Sequence, residues 1–117
     1  MQIGPVEPIP PAWKLAVVKV LKTGLTDVKI LWGPNALVDW STYGYQMQAY
    51  PLLIEALEDE NAQGCRWLEL SLKGNETYDF LFSHPHVTFP FYCKITLMSG
   101  SIQIRILSTH KAERTTL

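Results

Sequence analysis

The sequence predicts an α+β domain with two helices packed on one face of a mostly antiparallel sheet of four to five strands. Apolar residues recur at helical spacing in two segments of the first half, and from Cys65 onward they recur at every second position. A chain of 117 residues with 47% apolar and 18% charged residues is long enough for one domain with its own core. Helices followed by a run of strands are typical of the α+β class.

The N-terminal segment, residues 1–11, is predicted to be an extended arm. Four prolines lie in it, and proline fixes φ and donates no backbone hydrogen bond: Pro5, Pro8, Pro10 and Pro11. Such an arm either binds a partner or is a surface tail that leads into the first helix. The single α+β domain then occupies residues 12–117.

The first helix is predicted from Pro11 to Thr23, because proline suits a first helical turn and Gly24 suits the position after the last. Five apolar residues share one face: Trp13, Ala16, Val17, Val20 and Leu21.

A second helix is predicted from Pro51 to about Asn61. Between the helices, Val28–Trp32 reads as a strand or an extended connector. Residues 33–50 have no clean period and form either a short helix with a loop or an irregular segment.

The second half is predicted to form two β-hairpins. In the first, a loop of residues 74–76 joins strands 66–73 and 77–82, and the apolar pairs are Leu72 with Tyr78, Leu70 with Phe80 and Leu68 with Phe82. In the second, a turn at Ser99–Gly100 joins strands 91–98 and 101–107, and the apolar pairs are Leu97 with Ile102, Ile95 with Ile104 and Cys93 with Ile106. Both registers place the apolar residues of each hairpin on one face.

The other face of the last hairpin carries the candidate site. The same register pairs Tyr92 with Leu107 and sets Lys94 directly opposite Arg105. Two opposed like charges destabilise a sheet unless an anion compensates them. That anion is either a carboxylate of the neighbouring hairpin, Asp79 or Glu69, or a bound phosphate.

The histidines form separate groups in this prediction. His84 and His86 lie in a loop between two strands, and a lone His-x-His is a weak metal pattern, so we predict loop histidines that satisfy backbone groups, with no metal and no cofactor. His110 shares parity with Ile104 and Ile106, so in a continued strand it points toward the core at the end of the sheet. Cys93 falls on the apolar face, which predicts a buried, unreactive thiol.

The residues after the last predicted strand add acid–base and cationic groups. Lys111, Glu113 and Arg114 follow His110 and suit metal-free cleavage of a phosphodiester, in which a base removes the 2′-hydroxyl proton and cations hold the developing charge. An ordinary solvated C-terminus has the same composition.

Composition argues against several classes of protein. A net charge of −1 lacks the overall basic footprint of a nucleic-acid-binding protein, although a local basic patch remains compatible with RNA. Two cysteines do not make a disulfide framework, so reduced thiols and a cytoplasmic location are expected. No apolar run approaches the roughly 18 residues of a membrane span, and the first residues lack the pattern of a signal peptide. Nucleotide-binding loops and serine-hydrolase or zinc-protease motifs are absent.

The segment KITLMSGSIQIRILSTHKAER resembles the small bacterial toxin ribonucleases of the RelE and BrnT type, with two apolar strands, a tight turn and a polar cluster. The resemblance implies a bacterial toxin–antitoxin protein that cuts messenger RNA with basic residues, histidine, tyrosine and glutamate on the sheet and near the C-terminus. The matching residues are Tyr92, Lys94, Arg105 and His110. It also implies a protein partner, the cognate antitoxin.

The alternative hypothesis is a protein-binding module without enzymatic activity: an immunity protein, an antitoxin-like protein or a phage-type inhibitor. Near-neutral charge and the aromatic segment 40–50 favour it, because tryptophan and tyrosine are common interface anchors. The candidate partner-binding residues are Trp40, Tyr43 and Tyr45.

Overall fold

A computed structural model describes residues 1–23, 29–68, 75–98 and 103–112, and within them the chain has an α+β fold. The helices are α1 (Pro11–Thr23), α2 (Pro34–Ser41) and α3 (Gln46–Glu58). The strands are β1 (Glu7–Pro8), β2 (Ile30–Trp32), β3 (Gln63–Gly64), β4 (Arg66–Trp67), β5 (Glu76–Phe82), β6 (Phe91–Leu97) and β7 (Ile104–Lys111). A five-stranded sheet has the order β2-β7-β6-β5-β4, and β1 pairs with β3 in a two-stranded sheet. The predicted class and the mostly antiparallel sheet are confirmed.

The described residues contain three helices where two were predicted. Helix α1 has the predicted bounds. Residues 34–41 form α2, so of the two alternatives for residues 33–50 the short helix with a loop is the one observed. The predicted start of the last helix at Pro51 is wrong, because α3 begins at Gln46 and contains Pro51. Its first turn is closed by Gln48, whose side-chain oxygen accepts a hydrogen bond of 2.8 Å from the backbone N–H of Tyr45.

All three helices pack on one face of the five-stranded sheet. The Trp13 ring of α1 meets Tyr78 of β5 edge-on at 5.1 Å between centroids. The Trp40 ring of α2 lies 6.0 Å from Phe82 and 5.7 Å from Phe91. The largest fully buried side chains, which define this core, are Trp13, Trp40, Phe80, Phe91, Ile9, Leu21, Leu53, Leu57, Ile95, Ile104, Ile106 and Val17. Their burial supplies the main favourable free energy of folding.

Of the two alternatives for Val28–Trp32, a strand is observed: Ile30–Trp32 form β2 at one end of the strand order, whereas Val28 lies outside the described residues. It pairs in parallel with β7, with Ile30 beside Ile104 and Trp32 beside Ile106. Strand β7, the last one among the described residues, therefore lies inside the sheet, between β2 and β6.

The N-terminal arm runs along the segment that precedes and includes β4. Ile3 N–H donates to the Arg66 carbonyl at 2.9 Å, and Ile9 N–H donates to that of Ala62 at 3.1 Å. Ile9 is buried in the core. Gly64 lets this layer approach β5, since a Cβ there would overlap the carbonyl oxygen of Asp79. The arm is thus a paired edge of the fold.

The predicted register of the first hairpin is wrong where it can be compared. Arg66 is the partner of Tyr78, and Trp67 is the partner of Thr77, so Leu68 does not face Phe82. Residues 69–74, which include Leu70 and Leu72, lie outside the described residues. The physical reason is that alternation of apolar residues is compatible with every register that keeps the same faces together, so it does not determine which one forms.

The register of the last hairpin is shifted by two residues from the prediction. Ile95 faces Ile106 rather than Ile104, and Thr96 faces Arg105. An irregularity between Lys94 and Ile95 then sets Lys94 opposite Ser108. Strand β7 therefore has one more residue than β6 at this point, and the extra residue reverses the face on which every later residue of β7 lies.

Candidate functional site

The face of the sheet opposite the helices carries most of the sheet's polar side chains, and we call it the polar face. Cross-strand pairing sets its members in rows. They are Trp67 of β4; Thr77 and Asp79 of β5; Tyr92, Lys94 and Thr96 of β6; and Arg105, Ser108 and His110 of β7. Strand alternation directs their side chains away from the helices. All four residues predicted to be catalytic lie here.

Asp79 is the buried charged group of this face. Only 2% of its surface is exposed. Its Oδ1 accepts the backbone N–H of Cys65 at 2.7 Å, while its Oδ2 accepts the indole N–H of Trp67 at 2.7 Å and the hydroxyl of Tyr92 at 2.9 Å. These three donors replace the water that a carboxylate loses on burial.

Lys94 lies beside this carboxylate. Asp79 is its direct cross-strand partner, and its Nζ lies 4.3 Å from the centroid of the Trp67 ring, a cation–π contact. The predicted opposition of Lys94 and Arg105 is wrong, because the shifted register sets Ser108 opposite Lys94 and Thr96 opposite Arg105. Glu69, the other predicted compensating carboxylate, lies outside the described residues.

His110 is held against Tyr92. The two are cross-strand partners, and their rings stack with centroids 5.1 Å apart and planes inclined by 24°. The predicted position of His110 on the core side is wrong: the irregularity between Lys94 and Ile95 moves it to the polar face. Its Nδ1 lies 2.8 Å from the carbonyl oxygen of Lys111. A carbonyl only accepts, so this contact requires a hydrogen on Nδ1, and in that tautomer of imidazole the lone pair is on Nε2.

Tyr92 keeps its hydroxyl proton. Burial raises the pKa of Tyr92, and the neighbouring Asp79 carboxylate, which accepts its hydrogen bond, raises that pKa further. The residue therefore donates to Asp79 and supports the His110 ring, and it does not act as a phenolate base.

Arg105 and Ser108 complete the row along β7. Both are half-buried on the polar face, with Ser108 between Arg105 and His110. Lys111 is directed elsewhere: its Nζ lies 4.4 Å from the centroid of the Phe89 ring. Glu113 and Arg114, predicted as part of the polar cluster, lie outside the described residues.

The other histidines lie apart from this site, in the loop between β5 and β6. His84 Nδ1 accepts the backbone N–H of His86 at 3.1 Å, and the His84 ring packs 6.1 Å from Trp40. The prediction that these histidines satisfy backbone groups is confirmed for His84. Within the described ranges, no group of three or more histidine, cysteine, aspartate or glutamate side chains is arranged to hold a metal ion.

The predicted partner-binding residues separate by exposure. Trp40 is 1% exposed and donates its indole N–H to the Tyr45 carbonyl at 2.9 Å, so it belongs to the core and does not reach the surface. Tyr43 is half-buried against Phe91, with ring centroids 4.7 Å apart. Tyr45 is 81% exposed.

Sequence reasoning missed Trp67 and Ser108 as members of the site. The signal for Trp67 was its position on the polar side of a predicted strand, where a large aromatic needs a partner for its indole N–H. Ser108 had no signal, because it reaches Lys94 only through the shifted register.

Comparisons with protein-family models, with curated proteins and with solved structures found no match. Among the described residues, no helix has the length and apolar character that crossing a bilayer requires.

Proposed function

We propose that the protein is a metal-free ribonuclease of the bacterial toxin type and that the polar face is its active site. The observation that carries the proposal is the setting of His110, whose Nε2 has a lone pair and lies one row from Lys94 on the same face. Diagonal neighbours in antiparallel strands are about 7–8 Å apart, close enough for long side chains to meet one phosphate.

The residues have distinct roles in this proposal. His110 Nε2 takes the proton of an RNA 2′-hydroxyl, and the 2′-oxygen forms a bond to phosphorus as the bond to the 5′-oxygen breaks. The Lys94 ammonium and the Arg105 guanidinium hold the negative charge that develops on the phosphoryl oxygens. A proton from solvent or from Lys94 neutralises the leaving 5′-oxygen. The products are a 2′,3′-cyclic phosphate and a 5′-hydroxyl.

The test is cleavage of end-labelled RNA, free and on translating ribosomes, in the presence of a metal chelator. We expect 2′,3′-cyclic phosphate ends, and loss of about 10²- to 10⁴-fold in rate for His110→Gln, because general base catalysis contributes that much. The matched control is His86→Gln in the exposed loop, which should cleave at the wild-type rate. Absence of cleavage by the wild-type protein, together with harmless expression in bacteria, would refute the proposal.

A second candidate function, a protein-binding module, is supported by a different surface. Several large apolar side chains are exposed in and after α2, where Val38 is 68%, Tyr45 81% and Met47 58% exposed. Tyrosine and methionine are enriched at protein interfaces. The partner in this proposal is the product of a neighbouring reading frame.

Calorimetric titration with that product tests the second candidate. The double variant Tyr45→Ser, Met47→Ser should raise Kd about tenfold or more, as loss of interface anchors does. Leu15→Ser is the matched control, because Leu15 is 72% exposed on α1, away from this segment. No binding of the wild-type protein, or equal affinity of all variants, would count against this surface.

A further inference from the structure

We propose that Asp79 is the positioning residue of the polar face. Its buried carboxylate fixes two rings: that of Trp67, which Lys94 contacts, and that of Tyr92, on which His110 stacks. The catalytic meaning of this role rests on the proposed ribonuclease function. The orientation of the two side chains is a property of the molecule that can be measured separately.

One oxygen of the Asp79 carboxylate holds two rings from different strands. Asp79 lies on β5, between Trp67 of β4 and Tyr92 of β6. Its Oδ2 accepts from the Trp67 indole at 2.7 Å and from the Tyr92 hydroxyl at 2.9 Å. Hydrogen bonds to an ionised acceptor are stronger than neutral ones, so both rings are held firmly.

The other oxygen of the Asp79 carboxylate is bound by the main chain. Oδ1 accepts the backbone N–H of Cys65 at 2.7 Å, and Cys65 is bound in return to the backbone of Asp79, whose N–H donates to the Cys65 carbonyl at 3.1 Å. The main chain therefore holds one oxygen of the carboxylate, while the two rings bind the other.

The Trp67 ring and the Tyr92 ring each contact one functional group. Lys94 Nζ lies 4.3 Å from the Trp67 ring centroid, and the His110 ring stacks on Tyr92 at 5.1 Å. One buried group thus sets the position of the cation and of the base at once. Misplacement of a catalytic group by about 1 Å can cost on the order of 100-fold in rate.

Asp79→Asn is the informative variant. An asparagine oxygen can still accept from Cys65, but the amide NH₂ then faces Trp67 and Tyr92, and the indole N–H loses its acceptor. In NMR spectra of the full chain, we expect the Lys94 Cε–H signals, shifted upfield by the Trp67 ring in the wild type, to return toward their ordinary position. The His110 ring signals should move as well, and kcat should fall on the order of 100-fold, with a smaller change in KM.

Two single variants test the contacts of Lys94 and of His110 separately, and they remain informative if Asp79→Asn does not fold. Trp67→Phe removes the indole N–H and should displace Lys94 while leaving the His110 signals in place. Tyr92→Phe removes the hydroxyl and should displace His110 while leaving Lys94 in place. Asp39→Asn, on the exposed side of α2, is the matched control and should change neither set of signals nor kcat.

The outcomes distinguish the two proposals. An inactive wild-type protein refutes the ribonuclease function. Unchanged Lys94 and His110 signals in Asp79→Asn refute the positioning role, whatever the activity, and a fall in kcat without signal changes does so too. Displacement of both signals with a loss of kcat supports it.

Discussion

At the scale of single residues, the polar face is held together by groups that bind one another in the interior. The hydroxyls of Thr77 and Thr96 lie 2.6 Å apart, and both residues are buried. They occupy the cross-strand position next to Asp79 and Lys94. A buried hydroxyl whose partner is removed keeps its desolvation cost, whereas two apolar side chains of the same shape can replace the pair at little cost.

We expect Thr96→Val to lower the free energy of unfolding by about 1–3 kcal/mol, because the Thr77 hydroxyl loses its partner. The double variant Thr77→Val, Thr96→Val should recover most of that loss. Urea denaturation of the four proteins measures the coupling directly. Additive losses in the double variant would mean that the two hydroxyls do not depend on each other.

The sequence predicted the residues of the site better than their contacts. Tyr92, Lys94 and Arg105 share a face in any register that differs by an even number of residues, so the two-residue shift left that prediction intact. The partner of Lys94 depends on the register itself. His110 was assigned to the wrong face, because a backbone irregularity within a strand leaves no trace in the alternation of residue types.

At the scale of elements, the alternation of apolar residues indicated β4, β5, β6 and β7 but not the register in which they pair, and it gave no signal for the short strands β1 and β3. Strands β5 and β6 lie close to their predicted bounds, whereas the register of each hairpin differs from the prediction. The turn assumed at Ser99–Gly100 lies outside the described residues. A short apolar run such as Ile30–Trp32 predicts a strand, but its parallel pairing with β7 is set by the tertiary fold.

The helices illustrate the same distinction. Pro11, the apolar face of α1 and Gly24 are local signals in the sequence, and the bounds predicted from them agree with those of the helix. For α3 the local signal was misleading, because a proline that usually begins a helix lies within this one. What sets its start is Tyr45, whose backbone N–H and carbonyl are both bound by Gln48.

At the scale of the whole molecule, the fold keeps several acidic protons that the unfolded chain would lose in alkali. Burial raises the pKa of the Cys93 thiol, and burial together with Asp79 raises the pKa of Tyr92. Burial also raises the pKa of Cys65. In an unfolded chain thiols titrate near pH 8.5 and phenols near pH 10, approximately. Above those values the unfolded state binds fewer protons than the folded state, so stability falls as pH rises.

We therefore expect the free energy of unfolding to be constant below about pH 8 with respect to these groups and to fall between pH 8 and 10. A group that keeps its proton in the folded state lowers the free energy of unfolding by about 1.4 kcal/mol for each pH unit above its unfolded pKa. Urea denaturation under reducing conditions at pH 7, 8, 9 and 10 measures the slope, and Cys93→Ala should make it shallower. A wild-type protein with equal stability at pH 8 and pH 10 would contradict this expectation.

The place of β7 inside the sheet has a consequence for synthesis of the chain. During translation, β2 and β6 leave the ribosome before the strand that joins them, and each presents an unpaired edge until residues 104–111 arrive. A nascent chain that stalls in this interval exposes two open strand edges, which are templates for pairing with other chains. The joining of β2 to β6 therefore waits for β7, and so does assembly of the polar face, because Arg105, Ser108 and His110 arrive with that strand.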